Sequence, residues 1–123
     1  MRALVVDDSR AVRMIISEIL RAMGKEVVEA ADGRQALEQL RHDPEIDLVL
    51  VDWNMPVMDG LEFIRVVRSQ RCYDRVRIVM VTTETESEQV TRALNAGANE
   101  YVMKPFNKEV LVAKLGLLDI FGE

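Results

Sequence analysis

Apolar and polar positions follow two different periods along this chain. Five short apolar runs stand out: Ala3–Val6, Glu26–Ala30, Leu48–Val51, Arg77–Val81 and Tyr101–Met103. Their length and their Val, Leu and Ile content predict strands. Between and after them lie five stretches with helical spacing. In the clearest, Val12, Ile15, Ile16, Ile19, Leu20 and Met23 form one stripe, and Gly24 follows as a stop signal. The others run from about Gly33 to Arg41, Leu61 to Ser69, Ser87 to Gly97 and Lys108 to Ile120. Strands alternating with helices predict an α/β domain on a parallel sheet with right-handed crossovers. No repeat, linker or low-complexity segment breaks the pattern, so residues 1–123 read as one domain with no output domain.

The polar residues that end the apolar runs carry the chemistry. The first run ends in Asp7-Asp8, the third in Asp52 and the fourth in Thr82-Thr83; the fifth is followed by Lys104-Pro105. The third ends abruptly, because Pro56 lacks a donor and Asp59-Gly60 is turn chemistry. In an open parallel sheet all carboxyl ends share one edge, where ligands bind. Three carboxylates, a hydroxyl and an ammonium should therefore converge. The carboxylates repel one another, and a divalent cation removes the repulsion. Hard oxygen donors without His or Cys select Mg²⁺ or a similar ion. Lys104 adds a point charge suited to phosphate. A carboxylate beside Mg²⁺ and Lys can itself act as a nucleophile and form an aspartyl-phosphate. The set suits phosphoryl transfer, where positioning and charge neutralisation do most of the work.

Bulk composition narrows the class. The chain has 49% hydrophobic and 30% charged residues and a net charge of -5. That balance suits a soluble domain and argues against a nucleic-acid partner, which needs a basic face. The single cysteine, Cys72, cannot form an internal disulfide, which fits a reducing cytoplasm. No leader is visible, and no apolar run approaches the ~20 residues of a membrane span.

Together "VVDDS", "DWNMPVMDG", "VTTE" and "YVMKPF" resemble the receiver domain of two-component response regulators, nearest to the stand-alone chemotaxis regulators of that family. The resemblance covers essentially the whole chain. It implies a flavodoxin-like, doubly wound (βα)5 fold with strand order 2-1-3-4-5. It implies a histidine kinase as phosphodonor to Asp52. Mg²⁺ would be held by Asp8, Asp52 and the backbone carbonyl of Asn54, with Asp7 acting mostly through water. Lys104 would contact the phosphoryl group. Thr82 would turn inward to it, with Tyr101 following as the second switch residue. Asn54 and Glu84 would flank the path of attacking water and tune self-dephosphorylation. A cis bond is expected before Pro105. Output would leave through the face of the fourth helix, fifth strand and fifth helix, from a monomer. A phosphatase is a further partner of this class. Because the fourth helix begins Glu84-Thr85-Glu86-Ser87-Glu88, that face should select a basic or neutral contact patch.

Other readings stand beside these. Asp7 or Asp8 could cap the first helix, and Thr82 could be an ordinary strand end. Lys104 could be a solvated charge, and Tyr101 simple edge packing. Trp53 reads as a partly buried loop anchor, His42 as loop surface, and the seven methionines as core filler. A phosphorelay intermediate, passing the phosphoryl group to a histidine phosphotransfer domain, would use the same pocket. A phosphatase of the haloacid-dehalogenase type would need a second Asp two residues after the nucleophile, where this chain has Asn54.

Overall fold

The computed structural model describes residues 2–83 and 87–118. Ten elements alternate: β1 Arg2–Val6, α1 Arg10–Ala22, β2 Glu26–Ala30, α2 Gly33–His42, β3 Ile46–Asp52, α3 Gly60–Arg68, β4 Arg77–Thr82, α4 Ser87–Ala96, β5 Glu100–Met103 and α5 Lys108–Gly116. The strands form one parallel sheet in the order β2-β1-β3-β4-β5. The order turns back between β1 and β3, so the tips of those two strands flank a crevice.

Both faces of the sheet are covered, which is why the strands read as unbroken apolar runs. Leu4, Val6, Val49, Val51, Ile78 and Met80 face the side packed by α2, α3 and α4. Ala3, Val5, Leu48, Leu50, Val79 and Val81 face α1 and α5. Phe63, on α3, is the largest fully buried side chain. Burying such a ring contributes roughly 1.5–3 kcal/mol.

The helices start where short polar side chains can take up free N–H groups. Ser9, Asp32, Asp59 and Asn107 accept from the amides of Val12, Gln35, Glu62 and Val110. Ser9, not Asp7 or Asp8, therefore caps α1, and both acids are left for other work.

Several expectations need correction. Ile15, placed in the buried stripe of α1, is 58% exposed; the true centre of that face is Ile16, Ser17 and Leu20. His42 is the last residue of α2, not loop, although it is exposed as expected. Helix α5 stops at Gly116 rather than Ile120. Leu117 and Leu118 donate instead to the carbonyls three residues back, a tightened last turn after the weak helix former Gly116. Met80 is fully buried, but Met14 is half exposed, and Met23, Met55, Met58 and Met103 are only partly covered. Met23, Met55 and Met58 pack against the margin of the core from the end of α1 and the loop after β3, and Met103 ends edge strand β5. Trp53 is more deeply buried than a partial anchor, at 9% exposure.

Candidate phosphoryl-transfer site

The tips of β1 and β3 bring Asp7, Asp8 and Asp52 together. One carboxylate oxygen of each lies within 4.8 Å of the others. Asp7 and Asp52 are buried, and Asp8 is exposed. Lys104, just beyond β5, spans the gap. Its Nζ donates to Asp7 Oδ2 at 3.1 Å and to Asp52 Oδ1 at 3.2 Å. Lys104 is aimed there because its backbone N–H donates to the Thr82 carbonyl at 2.8 Å, which extends the β4–β5 pairing to the sheet edge. The Lys104–Pro105 peptide bond is cis.

The electrostatics are unbalanced. Burial and the charges of Asp7 and Asp8 push the Asp52 carboxyl above the usual range, although Lys104 pulls the other way. Burial pulls the Lys104 ammonium down, but hydrogen bonds and charge from Asp7 and Asp52 more than offset it, so the net shift is upward. One ammonium is thus held firmly charged among carboxylates that it does not fully neutralise. Three converging carboxylates, with no sulfur or imidazole in the group, are the donor chemistry of a hard divalent ion. The residues present fit Mg²⁺.

The loop after Asp52 is tied down at both ends. The Trp53 amide donates to the Val81 carbonyl at 3.1 Å, and the Gly60 amide to the Trp53 carbonyl at 2.9 Å. A Cβ on Gly60 would stand 2.3 Å from the Asp52 carbonyl oxygen, so only glycine lets α3 begin this close to the strand tip. The Arg92 guanidinium, on α4, lies 6.0 Å from the centre of the Trp53 ring.

The other expected residues fall around this centre. Thr82 is buried at the tip of β4. Asn54 is exposed in the loop after β3. Tyr101, on edge strand β5, is half-buried against the α4 side of the core, and Lys114 Nζ lies 4.3 Å from its ring centre. Glu84 and Glu86 lie outside the described residues, so the expected water-path pair is represented by Asn54 alone.

Residues 3–116 match the family model for the response regulator receiver domain. The chain belongs to that family. This receiver is 43% identical over 123 residues to a chemotaxis protein CheY homolog of Campylobacter jejuni, covering 99% of this chain and 93% of that one. It is 43% identical over 116 residues to chemotaxis protein CheY1 of Helicobacter pylori, covering 94% of each. The solved structure of chemotaxis protein CheY4 from Vibrio cholerae superposes with a TM-score of 0.88 at 41% identity, covering 95% of this receiver and 97% of that chain. Among the described residues, no helix is long and apolar enough to cross a membrane.

Two contributors to the site went unread in the sequence. Gly60 looked like turn punctuation, yet its missing side chain sets the approach of α3 to Asp52. Arg13 was not singled out at all, yet it donates to the Asp7 carbonyl oxygen at 2.6 Å. The signal for Arg13 was faint: a cation one turn into the helix that follows two acids.

Proposed function

We propose that this receiver accepts a phosphoryl group from a histidine kinase on Asp52 and passes the change on through a protein–protein contact. The observation that carries the reading is the position of Lys104 Nζ, bonded to both Asp7 and Asp52. In the transfer, an Asp52 carboxylate oxygen attacks phosphorus, a P–O bond forms, and the P–N bond to the donor imidazole breaks. The imidazole leaves with the bonding pair and is protonated. Lys104 stays charged throughout and meets the negative charge on the phosphoryl oxygens. Mg²⁺, held by Asp8, Asp52 and the Asn54 carbonyl, with Asp7 through water, would supply further charge neutralisation.

Thr82 then turns to the phosphoryl oxygen and Tyr101 follows, which shifts the population of the α4–β5–α5 face. The names of the relatives support a chemotaxis role. The acidic start of the fourth helix favours an output partner with a basic or neutral contact patch, so charge reversal at Glu86 and Glu88 should weaken its binding. Asn54 and Glu84 set the lifetime of the phosphoryl group, and apolar bulk at Glu84 should prolong it.

The test is incubation of the chain with Mg²⁺ and a small acyl phosphate, followed by detection of acid-labile label. Wild type should be labelled and Asp52→Asn should not. Undiminished label on the variant would overturn the assignment of Asp52. Turnover of a general phosphatase substrate would favour the haloacid-dehalogenase reading instead, and loss of label to a histidine phosphotransfer domain would make the chain a relay.

A further inference from the structure

Strand β1 stops at Val6, but its last peptide groups still have to be placed. Asp7 is one of the most heavily bonded residues at the site. Its amide donates to the Ala30 carbonyl at 3.2 Å. Its Oδ1 accepts from the Ser9 amide at 2.8 Å, and its Oδ2 accepts from Lys104. The Asp7 carbonyl accepts from Arg13 Nη1 at 2.6 Å. That carbonyl belongs to the peptide plane joining Asp7 to Asp8, so its direction governs where Asp8 departs from the chain.

Arg13 is itself held. Its Nε donates to Glu29 Oε1 at 3.0 Å, from strand β2. The second oxygen of Glu29 lies 3.4 Å from the hydroxyl of buried Ser17, one helical turn beyond Arg13. The Arg13 side chain is only 16% exposed. A rigid planar fork can serve a carboxylate and a carbonyl at once, which a single ammonium cannot do with the same fixed geometry.

We infer that Arg13, anchored by Glu29, is a positioning residue that fixes the Asp7–Asp8 peptide and so presents the Asp8 carboxylate to the metal. The inference rests on the reading of the acid cluster as a Mg²⁺ site. Arg13 acts through Asp7, and its effect on affinity has two opposing parts. Its charge repels a cation, whereas its geometry assembles the ligands. The geometric part is the larger here, because a carbonyl at a strand tip has no ladder partner to hold it. Partners one step behind a metal ligand commonly change affinity by about 10–100-fold when removed.

The test uses the full chain, with Arg13→Lys, Arg13→Met and Glu29→Gln. Mg²⁺ alone is titrated, with Trp53 emission as the signal, and the Asp7 carbonyl ¹³C resonance is followed in the metal-free protein. Arg13→Lys keeps the charge and loses the fork, so its Mg²⁺ dissociation constant should rise about tenfold. The Asp7 carbonyl resonance should move as its donor is lost. Glu29→Gln should change both in the same direction by less, and combined with Arg13→Lys it should add little. Arg13→Met should also lose affinity. If Arg13→Met instead tightens Mg²⁺ while Arg13→Lys leaves it unchanged, Arg13 acts only as a charge and the inference is overturned. A lowered melting temperature with unchanged Mg²⁺ affinity would overturn it as well, by showing a purely structural role. A wild-type chain that binds no Mg²⁺ would remove the proposed function; the ¹³C resonance then decides the inference, and an unmoved signal in Arg13→Lys overturns it.

Discussion

The two edges of the sheet both carry charged side chains and use them in opposite ways. At the amino ends of the strands, charges are matched. Arg2 meets Glu26 and Asp43, and Lys25 meets Asp47. Arg68 donates to the carbonyls of Tyr73, Val76 and Gly97 and to the Asn99 side chain, tying the entries of β4 and β5 to the end of α3. At the carboxyl ends, Asp7, Asp8 and Asp52 gather, and Lys104 bonds to two of them. The matched edge holds the fold. The mismatched edge keeps a standing demand for positive charge, which is what a cation and a phosphoryl donor would meet. Charge near a sheet edge is not itself a sign of function; an unbalanced set is.

Removing an acid should therefore have opposite consequences at the two edges, and the largest effect lies at the mismatched one. Asp8→Asn should weaken Mg²⁺ binding by about a hundredfold or more, since in the proposed site it would remove a direct ligand. It should also raise the stability of the metal-free protein slightly, because one repelling charge is gone. Calorimetric titration and metal-free denaturant unfolding check the two halves. A fall in metal-free stability would break the comparison.

At the matched edge, Asp47→Ala removes a carboxylate that meets the buried Lys25 ammonium and should cost about 2 kcal/mol. Arg68→Ala should cost about 2–3 kcal/mol by leaving carbonyls without their donor. Both losses should appear in denaturant unfolding with Mg²⁺ affinity preserved. Altered affinity in either variant would mean that the two edges are coupled.

A smaller effect sits in the loop that leaves the carboxyl end of β3. Val57 has φ +71° and is 74% exposed, a conformation that a β-branched side chain resists. Val57→Asn should raise stability by about 1 kcal/mol. Unchanged or lower stability would mean that the loop is not strained as its backbone indicates.

The smallest contrast is in titration. Hydrogen bonding to Arg2 holds the Asp43 carboxyl below its usual range. Its contribution to stability is present above the ordinary carboxylate pKa of about 3.9 and is lost as pH falls through its lower, folded value. Asp52 is shifted the other way, so in the metal-free chain its ionisation opposes folding once pH rises through its ordinary value. Carbon-detected titration should find Asp43 low and Asp52 high, with added Mg²⁺ bringing Asp52 down. Equal titration of the two would erase the distinction.

Much of this was legible in the order of residues. Each strand betrayed itself as an apolar run, and the polar residues at the ends of four of the five marked the functional edge, because a parallel sheet sends all its carboxyl ends one way. Helix starts near Gly33, Leu61, Ser87 and Lys108 were legible too from their spacing, although the cap of α1 is Ser9 where Asp7 or Asp8 had offered itself. These features depend on neighbours a few positions apart, and local periodicity records them.

What the tertiary structure decided is everything that depends on remote neighbours. Lys104 reaches Asp7 across 97 positions and Asp52 across 52. Ile15 kept the spacing of a buried residue but faces outward, because the spacing gives an angle on the helix and not what lies opposite it. Met14 is apolar without being core for the same reason. Gly60 matters because α3 closes on a strand tip, and Arg13 because β2 brings Glu29 beside it. A side chain's type and phase are properties of its own segment, whereas its partner, its burial and the balance of charge around it are set only when the five βα units pack together.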